Sequence, residues 1–430
     1  MTPLLADDTL AGLFRALAAA TLVGIPAYAW RVRGRSYAIF ALVILALSLP
    51  GAVLMHERLR TWLSPAAATA ADAAFAFSMA AAGLHLAALV RPRLRARAFR
   101  WLVSVPGMAF VAAGTLSGLW LLALFPVRAV LALLGYEGAL GGLRWLDLLP
   151  FAIALVSILT SYRLADEIVR VRLGKAGPDT VSRLPVERYR RRAPEPLAHR
   201  PLRIVQITDP HLGPWQPVHR LQRRIAELIE REPDLVLLTG DFLTMEGMGS
   251  PGALREALAP LRAVSERCFA IFGNHDHESP DEVRAALAAN DIRLLVDEEA
   301  VVETAIGPVQ IVGADYVGRG RGEHIRSLLA RFPRREGALR LFLLHDPSGF
   351  QHVPVGDVDL TLSGHTHGGQ LGLVSFGLDW TVLSRTRWPD HGLFGHGTNR
   401  LYVHRGTGFY GFPLRIGVPG ELSILELVQE

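Results

Sequence analysis

Cysteine is almost missing from this chain of 430 residues, with Cys268 the only one. A lone thiol forms no internal disulfide, and it says nothing firm about compartment. Charge is sparse as well, at 20 % of residues, and the basic share is carried almost entirely by arginine. No basic stretch or twin-arginine pair precedes the first apolar run, and more such runs follow it, so a cleaved leader is not expected. No Ser-His-Asp arrangement stands out to supply a side-chain nucleophile, and no internal repeat is visible.

What the chain has in excess is apolar sequence. Half of it is hydrophobic and the mean hydropathy is +0.27, yet residues after about 200 have an ordinary globular mix. The excess sits in the first third, in runs at residues 10–30, 37–55, 66–90, 101–125 and 146–162. Several runs of near bilayer length in series, with charges confined to the gaps, form a membrane pattern and not a soluble bundle. The last run is the shortest. Arg31, Arg33 and Arg35, then Arg91, Arg93, Arg95, Arg97 and Arg100, then Arg163, Arg170, Arg172 and Lys175 fill alternate loops. With five spans these basic loops share one side, which should be cytoplasmic, and everything after the fifth span follows them. This reading expects an inner-membrane, multi-pass protein. If residues 146–162 lie on the membrane instead of crossing it, the C-terminal part moves outside.

Asp72, His85 and Asp147 lie in or beside the spans, where charge is costly. No partners suggest themselves, so Asp72 and Asp147 are expected near helix ends, reaching the interface. Residues 1–172 are thus read as the membrane domain. Residues 173–200 read as a basic, proline-rich linker, with Arg188, Arg190, Arg191 and Arg192 beside Pro185, Pro194 and Pro196.

From residue 201 the pattern becomes α/β. Strand-like runs cover 202–208, 234–239, 268–272, 340–344 and 358–362, with closing strands at 401–404 and 422–427. Helical spacing marks 216–231, 252–264 and 281–290, the last opened by Ser279-Pro280. Runs at 301–305 and 309–312 around Gly307-Pro308 read as a hairpin. Five strands each end in metal-type ligands: Asp209 and His211, Asp241, Asn274, His345, then His365 and His367. Imidazole nitrogens and carboxylate oxygens suit manganese, iron or zinc, with cobalt also compatible. Seven ligands are too many for one ion and about right for two that share a carboxylate. Two ions about 3.5–4 Å apart could clamp both oxygens of an in-line displacement at phosphorus.

These segments, Asp209-Pro210-His211, Gly240-Asp241, Gly273-Asn274-His275-Asp276, a lone His345 and Gly364-His365-Thr366-His367, resemble the calcineurin-like metallophosphoesterases. The closing stretches 402–408 and 415–422 resemble its bacterial branch with N-terminal transmembrane segments. The resemblance implies a four-layer αββα sandwich over residues 201–430. It implies one divalent ion held by Asp209, His211 and His367, a second held by Asn274, His345 and His365, and Asp241 bridging them. It makes the nucleophile a metal-bridging hydroxide. His275 would face the scissile phosphate and stabilise charge or protonate the leaving oxygen, and Asp276 would orient its imidazole. Arg405, just past a strand, could bind phosphate through its planar fork. His277 reads as facing solvent. Many relatives carry a further Asp after Gly-Asp, whereas here Phe242-Leu243-Thr244-Met245 follow, which disfavours a protein-phosphatase-like site.

The expected function is therefore a membrane-anchored phosphohydrolase acting on a phosphodiester or pyrophosphate, its substrate a phosphorylated small molecule or a lipid. A receptor or scaffold with a degenerate phosphoesterase-like ligand-binding domain is the alternative, and it predicts missing ligands where none is missing. A nuclease would not need several spans, so no nucleic-acid partner is expected.

Overall fold

Little in the first part of the chain breaks a helix. Pro3–Val32, Arg35–Trp62, Pro65–Ala88 and Val105–Leu133 are long α-helices. A computed structural model describes residues 3–189, 199–409 and 411–429, with side chains from residue 9 onward. Arg190, Arg191, Arg192, Pro194 and Pro196 of the expected linker lie outside the described residues. Among the described residues, five segments are long and apolar enough to cross a bilayer: Thr9–Val32, Arg35–Trp62, Pro65–Ala88, Arg97–Leu133 and Glu137–Tyr162. The fifth is interrupted between Glu137–Leu146 and Leu149–Tyr162. Helices Arg35–Trp62 and Val105–Leu133 approach so closely that a Cβ on Gly51 would lie 2.1 Å from the Gly114 carbonyl oxygen. Small residues permit such backbone contact between membrane helices.

Asp72 and Asp147 correct the expectation made for them. Both are fully buried. Asp72 Oδ1 lies 2.6 Å from His56 Nε2 and its other oxygen 3.6 Å from Arg60 Nε, while Asp147 pairs with Arg58 and Arg128. A carboxylate withdrawn from water needs a countercharge. Here the partners come from other helices, so no local reading could reveal them.

Contacts divide the chain into two units, Met1–Thr160 with Gly411–Leu414, and Ser161–Tyr410 with Arg415–Glu430. The second unit carries fourteen described strands. They are β1 (Leu164–Leu173), β2 (Ser182–Arg183), β3 (Glu187–Tyr189), β4 (Leu202–Ile207), β5 (Leu235–Leu238), β6 (Cys268–Ala270) and β7 (Arg293–Leu294). Then follow β8 (Glu298–Thr304), β9 (Gly307–Gly313), β10 (Leu339–Leu343), β11 (Leu360–Ser363), β12 (Gly392–His396), β13 (Asn399–Val403) and β14 (Gly420–Gln429). One sheet has the order β3-β1-β14-β4-β5-β6-β7, the other β2-β12-β13-β11-β10-β9-β8. Within them β4, β5, β6 and β7 run parallel, as do β9, β10, β11 and β13.

Strands such as β5 and β10 are buried throughout because both of their faces are covered; β5 is wholly apolar, and the one charge in β10, Arg340, is paired with Asp357. Between the sheets, Val169, Val171, Ile204, Leu235, Leu237 and Phe269 meet Ile311, Leu341, Leu343, Leu360, Leu362 and Tyr402 in one core. Helix Arg321–Arg331 covers the outer face of the second sheet, packing Ile325, Leu328 and Leu329 with Phe342, Leu344, Leu401 and Val403. Helices Val218–Ile229, Ala253–Leu258 and Pro280–Ala288 bury Leu221, Ile225 and Leu228, then Leu254 and Leu258, then Val283 and Leu287. The result is a helical N-terminal region followed by a two-sheet αββα domain.

One boundary moves. Residues 164–189 were read as the end of the membrane domain and a tether, but they hold β1, β2 and β3. Strand β1 pairs in parallel with β14 from Leu164↔Gly420 to Leu173↔Gln429. Its alternation hides the assignment: Val169, Val171 and Leu173 enter the core, while Arg170 and Arg172 sit between them and pass for loop charges. The α/β unit therefore begins near Ser161 and not at residue 201.

Candidate metal centre

The expected ligands stand on the loops leaving the C-terminal ends of β4, β5, β6, β10 and β11. These loops are pressed together. The His365 backbone N–H donates to both Asp209 oxygens at 3.1 and 3.0 Å, and Asp209 N–H donates to the Gly240 carbonyl at 2.9 Å. A Cβ on Gly364 would lie 2.2 Å from Asp209 Oδ2, and one on Gly273 2.2 Å from Asp241 Oδ1. Only glycine lets the backbone come that near. The ligand residues also hold unusual backbone. Asp209, His211, Asp241, His365 and His367 all have positive φ, and only four other described non-glycine residues do. Left-handed backbone costs an L-residue energy, and such strain collects at functional sites.

Two clusters result. The ligand atoms of Asp209, His211 and His367 lie within 4.8 Å of one another, and so do those of Asp241, His345 and His365. His211 Nε2 and His367 Nε2 are 3.2 Å apart, with their rings stacked. Asp241 stands between the clusters: its Oδ2 is 3.3 Å from His345 Nε2 and 3.8 Å from His211 Nε2. Asn274 Oδ1 is 2.8 Å from His365 Nδ1, at the second cluster.

The donor set fits divalent metal. His345 Nδ1 lies 2.7 Å from the Thr239 carbonyl, so it carries the proton and turns the Nε2 lone pair toward Asp241 Oδ2. This is the tautomer of a ligating histidine. A lone pair facing a carboxylate oxygen calls for positive charge between them. Burial pulls the His345 pKa down, yet the Asp241 and Asp209 carboxylates carry it up to about 10, so a cation, whether a proton or a metal ion, is favoured at Nε2. Burial pushes the His211 imidazole down to about 3, leaving it in the neutral, ligating form. Asp209 is fully buried, which opposes ionisation, but His367, His345 and His211 hold its carboxyl well below the usual range.

His275 lies beside the first cluster, its ring centroid 5.7 Å from that of His211. Its partner is not the expected one. Asp276 faces away, accepting backbone N–H bonds from Asp241, Phe242 and Gly273 at 2.7, 2.8 and 2.7 Å. It ties the second ligand loop to the third, and the imidazole is met instead by Glu278, whose Oε1 is 2.8 Å from His275 Nδ1. Burial alone would lower the His275 pKa, but the bond to Glu278 and the charge of Asp241 raise it.

Arg405 is a second correction. Its guanidinium is buried in an ion-pair cluster, with Nε 3.1 Å from Glu421 Oε2 and Nη2 on Glu167, so it is not offered to a phosphate. Arg415 approaches the centre more directly: its Nη2 is 3.2 Å from His367 Nδ1 and donates to the carbonyls of Arg405 and Gly408 at 2.7 Å. His277 is partly exposed, as expected, and its Nε2 lies 3.0 Å from Asp315 Oδ1. Sequence reading did not mark Glu278, Arg415, or Tyr316, whose ring centroid is 6.4 Å from His345 and 6.5 Å from His365. Arg415 did carry a signal, since it opens the second of the two closing stretches.

A two-sheet sandwich with clustered His and Asp at its strand ends defines a metallophosphoesterase. The comparisons agree. Residues 202–369 match the model of the calcineurin-like phosphoesterases. The chain is 31 % identical to Phosphodiesterase YaeI of Escherichia coli strain K12 over 233 residues, 53 % of this chain and 83 % of that one. It is 29 % identical to an uncharacterized metallophosphoesterase of Campylobacter jejuni over 239 residues, 54 % of this chain and 60 % of that one. It is 30 % identical to a transmembrane protein with metallophosphoesterase domain of Danio rerio over 248 residues, 53 % of each. This chain belongs to the calcineurin-like metallophosphoesterase family. It is a metal-dependent phosphoesterase.

Proposed function

We propose that the α/β unit is a dinuclear phosphohydrolase that cleaves a phosphodiester or pyrophosphate bond, and that the helical region anchors it to its substrate's membrane. The observation that carries the reading is the place of Asp241, one oxygen of which lies within 3.3 Å of His345 Nε2 and 3.8 Å of His211 Nε2. In this reading Asp209, His211 and His367 hold one ion, Asn274, His345 and His365 the other, and Asp241 both. Bound divalent ions supply Lewis acidity toward phosphoryl oxygens and bring the ionisation of water toward neutral pH. The Thr239 carbonyl fixes the His345 imidazole in the ligating tautomer. His275 holds a proton on the edge of the site and delivers it to the leaving oxygen, its pKa raised by Glu278.

The spans favour an amphipathic substrate with its phosphodiester at the membrane surface. Arginines on alternate loops support an inner-membrane protein with the α/β unit on the cytoplasmic side. Asp241→Asn in the full-length protein tests the site. With manganese added, hydrolysis of bis-(p-nitrophenyl) phosphate should fall on the order of a hundredfold or more, since even outer-shell changes cost about 10–100-fold. Wild-type turnover by that variant contradicts the assignment.

A further inference from the structure

A second feature of the α/β unit lies outside the ligand set. After His367 the chain makes a long excursion and returns at Asp390, whose carbonyl accepts from Thr366 Oγ1 at 2.5 Å. The excursion is thus rooted on the loop that carries His365 and His367. Its side chains are turned out. Leu373, Phe376, Leu378, Trp380, Val382 and Trp388 are exposed, Phe376 at 75 %. Only three other large apolar side chains described in this unit, Val301, Ile306 and Val355, are exposed, so two-thirds of the total falls in sixteen residues. Scattered surface hydrophobes need no explanation, but a contiguous group does.

The composition says what covers it. Two tryptophans sit among aliphatic residues, with exposed Arg385 and Arg387 and a single acid, Asp379, over residues 371–388. Aromatic rings with arginines are the side chains of a bilayer interface, where the rings enter the headgroup region and the guanidinium groups meet anionic phosphate. A protein partner would require a second molecule, whereas this chain brings a membrane with it through its own spans, at a tether's effective concentration. Arg387 and Trp388 also line a cavity of about 550 Å³ with Ser348 and Arg183, three residues past His345 on one side.

We propose that residues 371–388 are a membrane-seated loop, inserted at headgroup depth in an anionic bilayer beside the metal centre. The loop fixes where the substrate's phosphodiester lies: at the headgroup level of that bilayer, next to the ligand loop. That second statement rests on the phosphohydrolase reading, while the seating itself does not.

The test uses the full-length protein in vesicles of phosphatidylglycerol and phosphatidylcholine. Phe376→Cys and, separately, Leu378→Cys are labelled with an environment-sensitive fluorophore, and Ile306→Cys is the reference. Native Cys268 is buried and does not compete. With nitroxide on the lipid chains, quenching at 376 and 378 should exceed that at 306 by about threefold or more, as for groups about 5–10 Å into the interface. Quenching equal to the reference overturns the proposal. A shielded label that the lipid nitroxide does not quench also overturns it, and assigns the surface to a second copy or another protein. Turnover of a soluble diester is measured on the same samples. Its absence would count against the phosphohydrolase reading alone, so the two failures are distinguishable.

Discussion

His275 and Glu278 face each other at 2.8 Å, and against the effect of burial this contact, with the charge of Asp241, raises the His275 pKa. In the proposed mechanism His275 acts as an acid, so activity should be lost as pH rises through its pKa. Glu278 holds that pKa up, so Glu278→Gln should move the alkaline fall of kcat to lower pH, read from a pH–rate profile; an unmoved profile contradicts the role. His275→Ala should cost about 10²–10⁴-fold with an alkoxide leaving group and much less with p-nitrophenolate, which needs no proton. Arg405 separates two readings by a different readout. Breaking a buried ion pair costs about 3–5 kcal/mol, so Arg405→Ala should lower the melting temperature markedly and leave KM for a diester unchanged in the folded fraction. A raised KM with full stability would restore the phosphate-binding role. Cys268 lies in β6 with its thiol pushed up to about 12 by burial and Glu266, so thiol reagents should leave the native protein unmodified. At this scale the candidate ligands were legible because each follows the end of a strand. Arg405 was not, because Glu167 and Glu421 reach it only through the pairing of β1 with β14. Asp276 and Glu278 exchanged parts for a similar reason: the turn at Asp276–Glu278 aims the first carboxylate at backbone amides and the second at the imidazole.

Among the elements, β4, β5, β6, β10 and β11 were readable as largely apolar runs stopping at candidate ligands, and so was the hairpin of β8 and β9, although its turn is Ala305-Ile306 and the expected Gly307-Pro308 opens β9. Strand β1 was missed because Arg170 and Arg172 alternate with its core residues and read as membrane-flanking charge. It is nevertheless central, lying between β3 and β14. A fragment starting at residue 200 removes Val169, Val171 and Leu173 from the core and bares the edge of β14. Such an edge invites aggregation. That fragment should elute as aggregates and melt without a cooperative transition, whereas one starting at residue 161 should do better on both counts. Equal behaviour of the two would show β1 to be dispensable. The positive φ of five ligand residues was out of reach from sequence, although Asp and His tolerate such backbone better than most residues.

For the whole molecule, the membrane helices were legible from hydropathy, and the partners of Asp72 and Asp147 were not, because helix packing creates them. The proposed molecule is a helical membrane region joined to a phosphoesterase unit whose centre would take two divalent ions. The most direct test of that claim counts metal in the purified full-length protein by inductively coupled plasma mass spectrometry, alongside turnover of bis-(p-nitrophenyl) phosphate. The account predicts two divalent ions per chain, loss of turnover when chelation removes them, and recovery when they return. Full turnover by a chelated, metal-free protein would contradict it.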